Sequence, residues 1–174
     1  MNIKINVFDP ASIDAAIEQL ERTSQKLKEW GGQIAERLAN IGYDVAYSVM
    51  AGNVYSGETI SSLQVQQTGP YEYTLLAGSV ALLFFEFGAG IQGVGHPEAG
   101  KFGMGAGTYP GQKHAFDPNG WWFPTDDANL AVKYDKDGQG WGHSYGNPPH
   151  MPMYQAETKM RDELERVARE VIQL

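Results

Sequence analysis

The sequence predicts an α+β fold in which a long N-terminal helix and a C-terminal helix pack on a small antiparallel sheet. Apolar or small residues recur at steps of three and four over residues 13–49 and again over residues 153–171, which is the period of a helix with one buried face. Between these segments, residues 71–77 alternate between the two faces of a half-buried strand. A chain of 174 residues suffices for one such domain, residues 1–174, which carries a long insertion over residues 91–147.

The first predicted elements are a short edge strand and the start of the long helix. Ile3, Ile5 and Val7 alternate with polar residues, which predicts the strand. Asp9-Pro10 supplies an N-cap followed by proline at the first helical position, and both residues favour a helix start.

The long helix is expected to divide or kink at Gly31-Gly32. Unbroken to its predicted end at residues 51–53, it would be about 60 Å long, which exceeds the width of a domain of this size. Ser24 and Gly31 also interrupt its apolar seam. The seam is therefore predicted to pack on a sheet or on a neighbouring subunit rather than in a free-standing coiled coil.

A β-hairpin and a short helix are predicted next. Residues 59–67, which are rich in Ser, Thr and Gln, pair with residues 71–77, and Gly69-Pro70 marks the turn between them. In residues 81–87 six of the seven are apolar, so this short helix must be buried in a core or against a partner chain.

Glu86 is the one polar residue of that short helix. Because an unpaired buried carboxylate is costly, Glu86 must meet a cation, accept backbone N–H groups or be protonated at a rim of the protein. A structural role is favoured over that of a general acid, because no nucleophile or second acid accompanies it.

The insertion has an unusual composition: 14 of the 21 glycines and three of the four tryptophans lie between residues 87 and 150. A linker is not this aromatic and a compact core is not this rich in glycine, so an extended loop system that packs its aromatic side chains is predicted. Residues 121–123 and 129–134 are expected to be two short strands, and residues 135–138 a turn towards Trp141. The final helix follows Pro152, and its apolar face is Met153, Ala156, Met160, Leu164, Val167 and Val171.

Composition and charge exclude several functions. The absence of cysteine excludes disulfides, thiolate metal sites and cysteine nucleophiles. The net charge of −8 without any basic cluster argues against phosphate-backbone binding as a primary function. No apolar run approaches the roughly 18 residues of a membrane span, so a soluble chain without membrane contact is expected.

The insertion contains residue types that suit two kinds of binding site, a metal site and a sugar-stacking site. Histidines at no fixed zinc-ligand spacing do not predict a metal, and neither does the run at Asp135, where the glycine comes too early for a calcium loop. Exposed tryptophans could stack on sugar rings, although an aromatic cluster that staples the loop is favoured. The residues considered were His96, His114, His143, His150, Asp117, Asp126 and Asp127 for a metal, and Trp121, Trp122 and Trp141 for sugars.

Three segments resemble the small tail-component or neck proteins of long-tailed bacteriophages and prophages. Ser56-Gly57, with the hydroxyl-rich segment up to Leu63, is similar to the family's Ser/Thr-Gly-x-Leu-x-x-Ser step after the long helix. Residues 85–90, Phe-Glu-Phe-Gly-Ala-Gly, resemble its aliphatic-Glu-Phe-Gly-Thr-Gly signature, with alanine in place of threonine. Residues 152–154, Pro-Met-Tyr, resemble its Arg-Pro-Phe-Met segment before the last helix, with Met151 in place of the Arg and Met153 in place of the Phe.

The resemblance implies a structural virion protein that is not an enzyme and has no cofactor. Such proteins form rings, commonly six-fold, between the head–tail connector and the tail-tube or tail-terminator proteins, and DNA passes through the lumen without specific binding. The chain is then expected in the virion neck, and in the bacterial host cytoplasm during assembly. The residues expected at subunit or partner contacts are Leu82, Leu83, Phe84, Phe85, Glu86, Phe87, Trp121, Trp122 and Met153.

Two alternatives from other functional classes stay open. One is a metal-dependent or acid-assisted hydrolase of cell-wall glycan that uses Glu86 and loop histidines. The other is a glycan-binding module without catalysis that uses the tryptophans of the insertion.

Overall fold

The computed structural model describes residues 5–6, 8–52, 57–104 and 117–173, and it has the predicted α+β fold: a long N-terminal helix, a C-terminal helix and small antiparallel sheets. The strand predicted over residues 3–7 lies outside the described residues, except for Ile5 and Asn6. None of the helices in the described part of the chain is long and apolar enough to cross a membrane.

Helix α1 is one continuous helix, Pro10–Ala51, of 42 residues. It begins as predicted, since the Asp9 side chain accepts a hydrogen bond from the Ala11 N–H at 3.1 Å and proline follows at the first helical position. The alternative of two separate helices is wrong, because α1 runs through Gly31-Gly32 without interruption. A glycine inside a helix costs only about 1 kcal/mol, and Tyr71 lies against the backbone at Gly32.

Helix α4, Pro152–Ile172, packs antiparallel against the C-terminal half of α1. Met160 lies against Gly42, where an added Cβ would be 2.8 Å from the methionine sulfur, and Arg37 approaches Glu170 at 3.6 Å. The final helix was predicted correctly, but Leu164 of its predicted apolar face is 50% exposed. The core next to this helix pair comprises Ala46, Met50, Leu63, Leu82 and Ala156.

The predicted hairpin is present as strands β1, Gln64–Gly69, and β2, Glu72–Leu76, which pair antiparallel. The first strand begins later than predicted, because residues Gly57–Ser61 form a short helix, α2. Thr59, within this helix, is buried, and its hydroxyl lies 3.2 Å from that of Ser79. The predicted short helix follows as α3, Val80–Phe87.

The described part of the insertion contains more regular structure than an extended loop. A one-turn 3₁₀ helix, Ala99–Phe102, precedes a three-stranded antiparallel sheet of β4, Trp121–Pro124, β5, Lys133–Tyr134, and β6, Gly140–Ser144, in the order β4-β6-β5. The strand predicted over 129–134 is confined to its last two residues, and the turn at 135–138 is confirmed. Strands β3, Ala89–Gly90, and β7, Gly146–Asn147, then join the two ends of the insertion.

Candidate functional site

Helix α3 holds together segments that are far apart in the sequence. At its N-terminus, Ser79 is the N-cap, and its hydroxyl accepts a hydrogen bond from the Ala81 N–H at 3.2 Å. The same hydroxyl lies 3.2 Å from that of Thr59, which is fully buried. Helix α2 is therefore attached to the start of α3 through two hydroxyl groups.

At the other end of α3, Glu86 is buried with both carboxylate oxygens engaged. Its Oε2 accepts a hydrogen bond from the Met153 N–H at 2.8 Å, and its Oε1 accepts one from the Tyr154 N–H at 3.0 Å. The Oε1 atom also lies 3.0 Å from His96 Nε2. We call Glu86, His96 and these two backbone groups the Glu86 cluster.

The Glu86 cluster replaces a cap that α4 lacks. Met151 precedes the helix in the left-handed conformation, with φ 56°, and its side chain makes no capping hydrogen bond. Pro152 has no N–H, and the Gln155 N–H already bonds the Met151 carbonyl. The remaining N–H groups of the first turn are those of Met153 and Tyr154, and Glu86 accepts a hydrogen bond from each. The helix dipole further favours an anion at this position.

His96 is held in one tautomer by its two hydrogen bonds. Its Nδ1 accepts from the Glu98 N–H at 3.1 Å, so the proton lies on Nε2, which donates to Glu86. The His96 side chain is only 2% exposed. Nearby at the surface, an ion pair with Lys101 lowers the pKa of the Glu98 carboxyl.

Aromatic rings and close backbone contacts surround the Glu86 cluster. The His96 ring lies 4.6 Å from Phe87 and 5.4 Å from Tyr154, measured between ring centroids. Gly88 has a φ of 74°, and a Cβ there would lie 2.7 Å from Gly93 Cα. The first glycine of the Phe-Glu-Phe-Gly-Ala-Gly segment is therefore required both by its conformation and by its neighbours.

The segment that leads into α4 also binds the C-terminal carbonyls of α3. The Phe85 carbonyl accepts hydrogen bonds from the N–H groups of His150, at 2.7 Å, and Met151, at 3.2 Å. The Phe84 carbonyl accepts one from the Asn147 side-chain amide at 2.8 Å. Helix α3 thus fixes both the position and the start of α4.

A pocket of about 870 Å³ opens beside α3, between this helix and the β4-β6-β5 sheet. Its walls are mostly apolar, and His143 and His150 contribute polar edges. The apolar lining includes Ala81, Phe84, Phe85, Phe123, Leu130 and Pro148.

The structure divides the residues expected at subunit contacts into two groups. Leu82, Glu86 and Phe87 are buried within the chain, so the chain itself covers these three, and Met153 is half-buried against the core. The other five are half-buried or exposed: Leu83, Phe84, Phe85, Trp121 and Trp122. A role in subunit contacts stays a prediction for the whole set.

The histidines considered as metal ligands do not converge within the described residues. His96 binds Glu86, His143 lies tilted against Trp122, and His150 lies against Phe85 at a centroid distance of 5.7 Å. His114 lies outside the residues that the structure describes. Among those that it does describe, no group of three or more His, Asp or Glu side chains could hold a metal ion.

The tryptophans of the insertion do not form one platform. Trp121 lies over Gly90, where a Cβ would be 2.8 Å from the indole, whereas the neighbouring Trp122 points to the opposite face of the sheet and is 45% exposed. The Lys133 ammonium lies 3.5 Å above the Trp122 ring, and the His143 ring is 4.5 Å from it. These contacts occupy ring surface that a sugar would need for stacking.

The sequence did not predict that His96 is a partner of Glu86, or that Ser79 is a partner of Thr59. One signal could have indicated the Glu86 cluster: a helix that starts at Pro152 after a methionine has no side-chain cap of its own. No comparable signal marks His96, whose role depends on a loop conformation.

No model of a known protein family, no curated protein and no solved structure matches the chain.

Proposed function

We propose that the chain is a structural component of a bacteriophage or prophage particle, a neck or tail-completion protein that oligomerises at the joint between head and tail. The observation that carries the proposal is the convergence of the three family-like segments on α3. The first segment contributes Thr59, which contacts Ser79, and Leu63, which packs in a cluster with Leu82. The second and third meet through the hydrogen bonds of Glu86 to residues 153 and 154.

This convergence supports a structural role for the signature. Segments that interact with one another through caps and buried hydrogen bonds are needed together for the fold, which is why they would occur together in a family. A carboxylate with both oxygens engaged by fixed donors at a helix N-terminus suits this role better than proton transfer.

The surface beside α3 supports assembly with neighbouring subunits. Phe84 and Phe85 line an open, largely apolar pocket, and pockets of this kind receive anchor side chains in protein interfaces. In the proposed ring, a second copy of the chain fills this pocket. The net charge of −8 suits a collar through which DNA slides without adhering.

The deciding experiment is mass spectrometry of tailed particles purified from the source cells after prophage induction. The proposal expects peptides of this chain in intact particles, at a constant ratio to the tail proteins. Finding the chain in the cell lysate, with particles assembled but free of it, would refute the proposal.

The ring contact is tested by Phe85→Asp, with solution mass measured by light scattering and particles viewed by negative-stain electron microscopy. We expect the variant to lose ring assembly, because a carboxylate in the apolar pocket has no partner there. Val132→Asp is the control, because Val132 is apolar and 68% exposed but lies outside the pocket. Rings that assemble normally from Phe85→Asp would contradict the proposed contact.

The two alternative functions have different signatures. The hydrolase hypothesis expects stoichiometric zinc or loss of glycan cleavage in Glu86→Gln. The glycan-binding hypothesis expects tryptophan fluorescence to change when oligosaccharides are added, and to stop changing in Trp122→Ala.

A further inference from the structure

The first half of α1 extends beyond the other elements of the described chain. The C-terminal end of α4 and the hairpin tip both lie level with residues 32–37 of α1, as the contacts of Arg37 with Glu170 and of Gly32 with Tyr71 show. Residues 10–30, which we call the N-terminal arm, continue for about 32 Å past this point. Ala16 is the only buried residue of the arm.

The arm carries an exposed apolar stripe. Ile13, Ile17, Leu20 and Leu27 are 38%, 50%, 54% and 58% exposed. Their spacing of four, three and seven residues is that of a heptad seam, which helices bury by pairing. An isolated helix of this length is marginally stable in water, so the exposed stripe indicates a missing partner.

The charges of the arm are divided into two halves. Residues 10–21 carry Asp14, Glu18 and Glu21 and no basic residue, whereas residues 22–30 carry Arg22, Lys26 and Lys28 and a single acid, Glu29, which accepts a hydrogen bond from Gln25. Glu18 and Arg22 pair with each other along the helix. Asp14, Glu21, Lys26 and Lys28 make no ion pair with another described residue.

We propose that the N-terminal arm pairs with the arm of a second copy of this chain, antiparallel and about a two-fold axis near residue 22. In this register Ile17 faces Leu27 of the other copy, and Leu20 faces its Ser24. Small residues thus lie opposite large ones. Ser24 leaves space for Leu20 of the other copy, and Gly31 leaves space for its Ile13.

Charge complementarity selects this orientation and this partner. The sign of the charge changes between Glu21 and Arg22, which is also where the axis of the seam falls. Antiparallel pairing therefore places the acidic half against the largely basic half of the other copy, with Asp14 beside Lys28, and the two Glu21 side chains are the one like-charged pair, at the axis. Parallel pairing instead places every charge level with its own counterpart. A surface that is complementary to itself under a two-fold rotation is suited to a second copy of the same chain.

This contact between two arms uses none of the residues of the proposed ring contact and does not depend on the proposed function.

The chain has no cysteine, so single cysteines can test the orientation directly. In the proposed pair, residue 21 lies about 3 Å along the axis from its counterpart, whereas residue 14 lies about 24 Å from its own. We expect a short bismaleimide reagent to cross-link Glu21→Cys into covalent dimers and to leave Asp14→Cys monomeric. Each variant removes one acid from the same half of the arm, and light scattering checks that Asp14→Cys, which loses its contact with Lys28, still forms dimers.

Cross-linking of both variants would establish a parallel pair and overturn the proposal. Cross-linking of neither at concentrations up to the millimolar range would show that the arm does not pair with itself, and would also overturn it.

A second measurement tests how tightly the N-terminal arms dimerise. Leu20→Glu should weaken dimerisation by at least about a hundredfold, because it places two charges in the seam. Leu164→Glu on α4 is the control, with an exposure of 50% against 54% for Leu20, and it should leave the dimer unchanged. Circular dichroism confirms that both variants are folded. Equal dimerisation of Leu20→Glu and the parent chain contradicts the proposal.

Discussion

At the scale of single residues, Glu86 does for α4 what an N-cap side chain does for other helices. The sequence limited Glu86 to a cation, backbone N–H groups or a rim, because a buried carboxylate needs compensation. The structure selects the backbone groups, with the His96 N–H in addition. The particular partners could not be predicted, since the helix start lies 67 residues further along the chain.

Replacement of Glu86 should therefore lower stability. Glu86→Ala leaves two backbone donors and the His96 N–H without an acceptor, and we expect a loss of about 2–4 kcal/mol in the free energy of unfolding. Glu86→Gln keeps one acceptor and should lose less. Urea denaturation followed by circular dichroism measures both changes.

The control for these variants is Glu165→Gln, which removes a carboxylate from the surface of α4. Its side chain is 78% exposed and pairs with Arg169, so its loss should change stability by less than about 1 kcal/mol. A Glu86→Ala variant as stable as Glu165→Gln would contradict the capping role.

At the scale of secondary-structure elements, periodicity predicted the long elements and failed on the short ones. Helices α1 and α4 have many turns, so their apolar faces repeat often enough to identify them, and the hairpin has a clear turn at Gly69-Pro70. Helix α2 has only five residues, and its position depends on the contact of Thr59 with Ser79, which no local pattern reveals.

The turn between β5 and β6 was predicted from residues 135–138, and its carboxylate gives a pH-dependent test. The Trp141 indole N–H and the backbone N–H groups of Gln139, Asp137 and Gly138 hold the pKa of Asp135 below its ordinary value of 3.8. Because the folded pKa is depressed, the ionised carboxylate stabilises the turn above pH 3.8, and this contribution is lost as the pH falls through the folded pKa.

The NMR resonance of the Trp141 indole N–H, 3.1 Å from Asp135 Oδ2, should report this titration. We expect it to shift with a midpoint below pH 3.8 in the parent chain and in Asp137→Asn. In Asp135→Asn the shift should be absent, since no carboxylate remains to titrate. A midpoint at or above 3.8 would show that the turn does not stabilise the ionised form.

At the scale of the whole molecule, α1 belongs to two different environments. Its C-terminal half contributes Ala39, Ala46 and Met50 to the interior, against α4 and the hairpin, whereas its N-terminal arm meets almost nothing within the described chain. The sequence shows one continuous seam over both halves, because periodicity reports that a face will be covered and not what covers it.

Hydrogen exchange along α1 should reveal this division. In dilute protein, where the chain is monomeric, we expect amides of residues 12–28 to open with a free energy at least about 3 kcal/mol lower than those of residues 38–50, so that they exchange roughly a hundredfold faster. At high concentration, pairing of the arms should slow exchange in residues 12–28 and leave residues 38–50 unchanged, because ligation stabilises only the segment that it orders. Leu20→Glu should abolish this dependence on concentration and serves as the control. Uniform protection along α1 in the dilute monomer would mean that the arm is stabilised from within the chain, and the arm would then need no second copy.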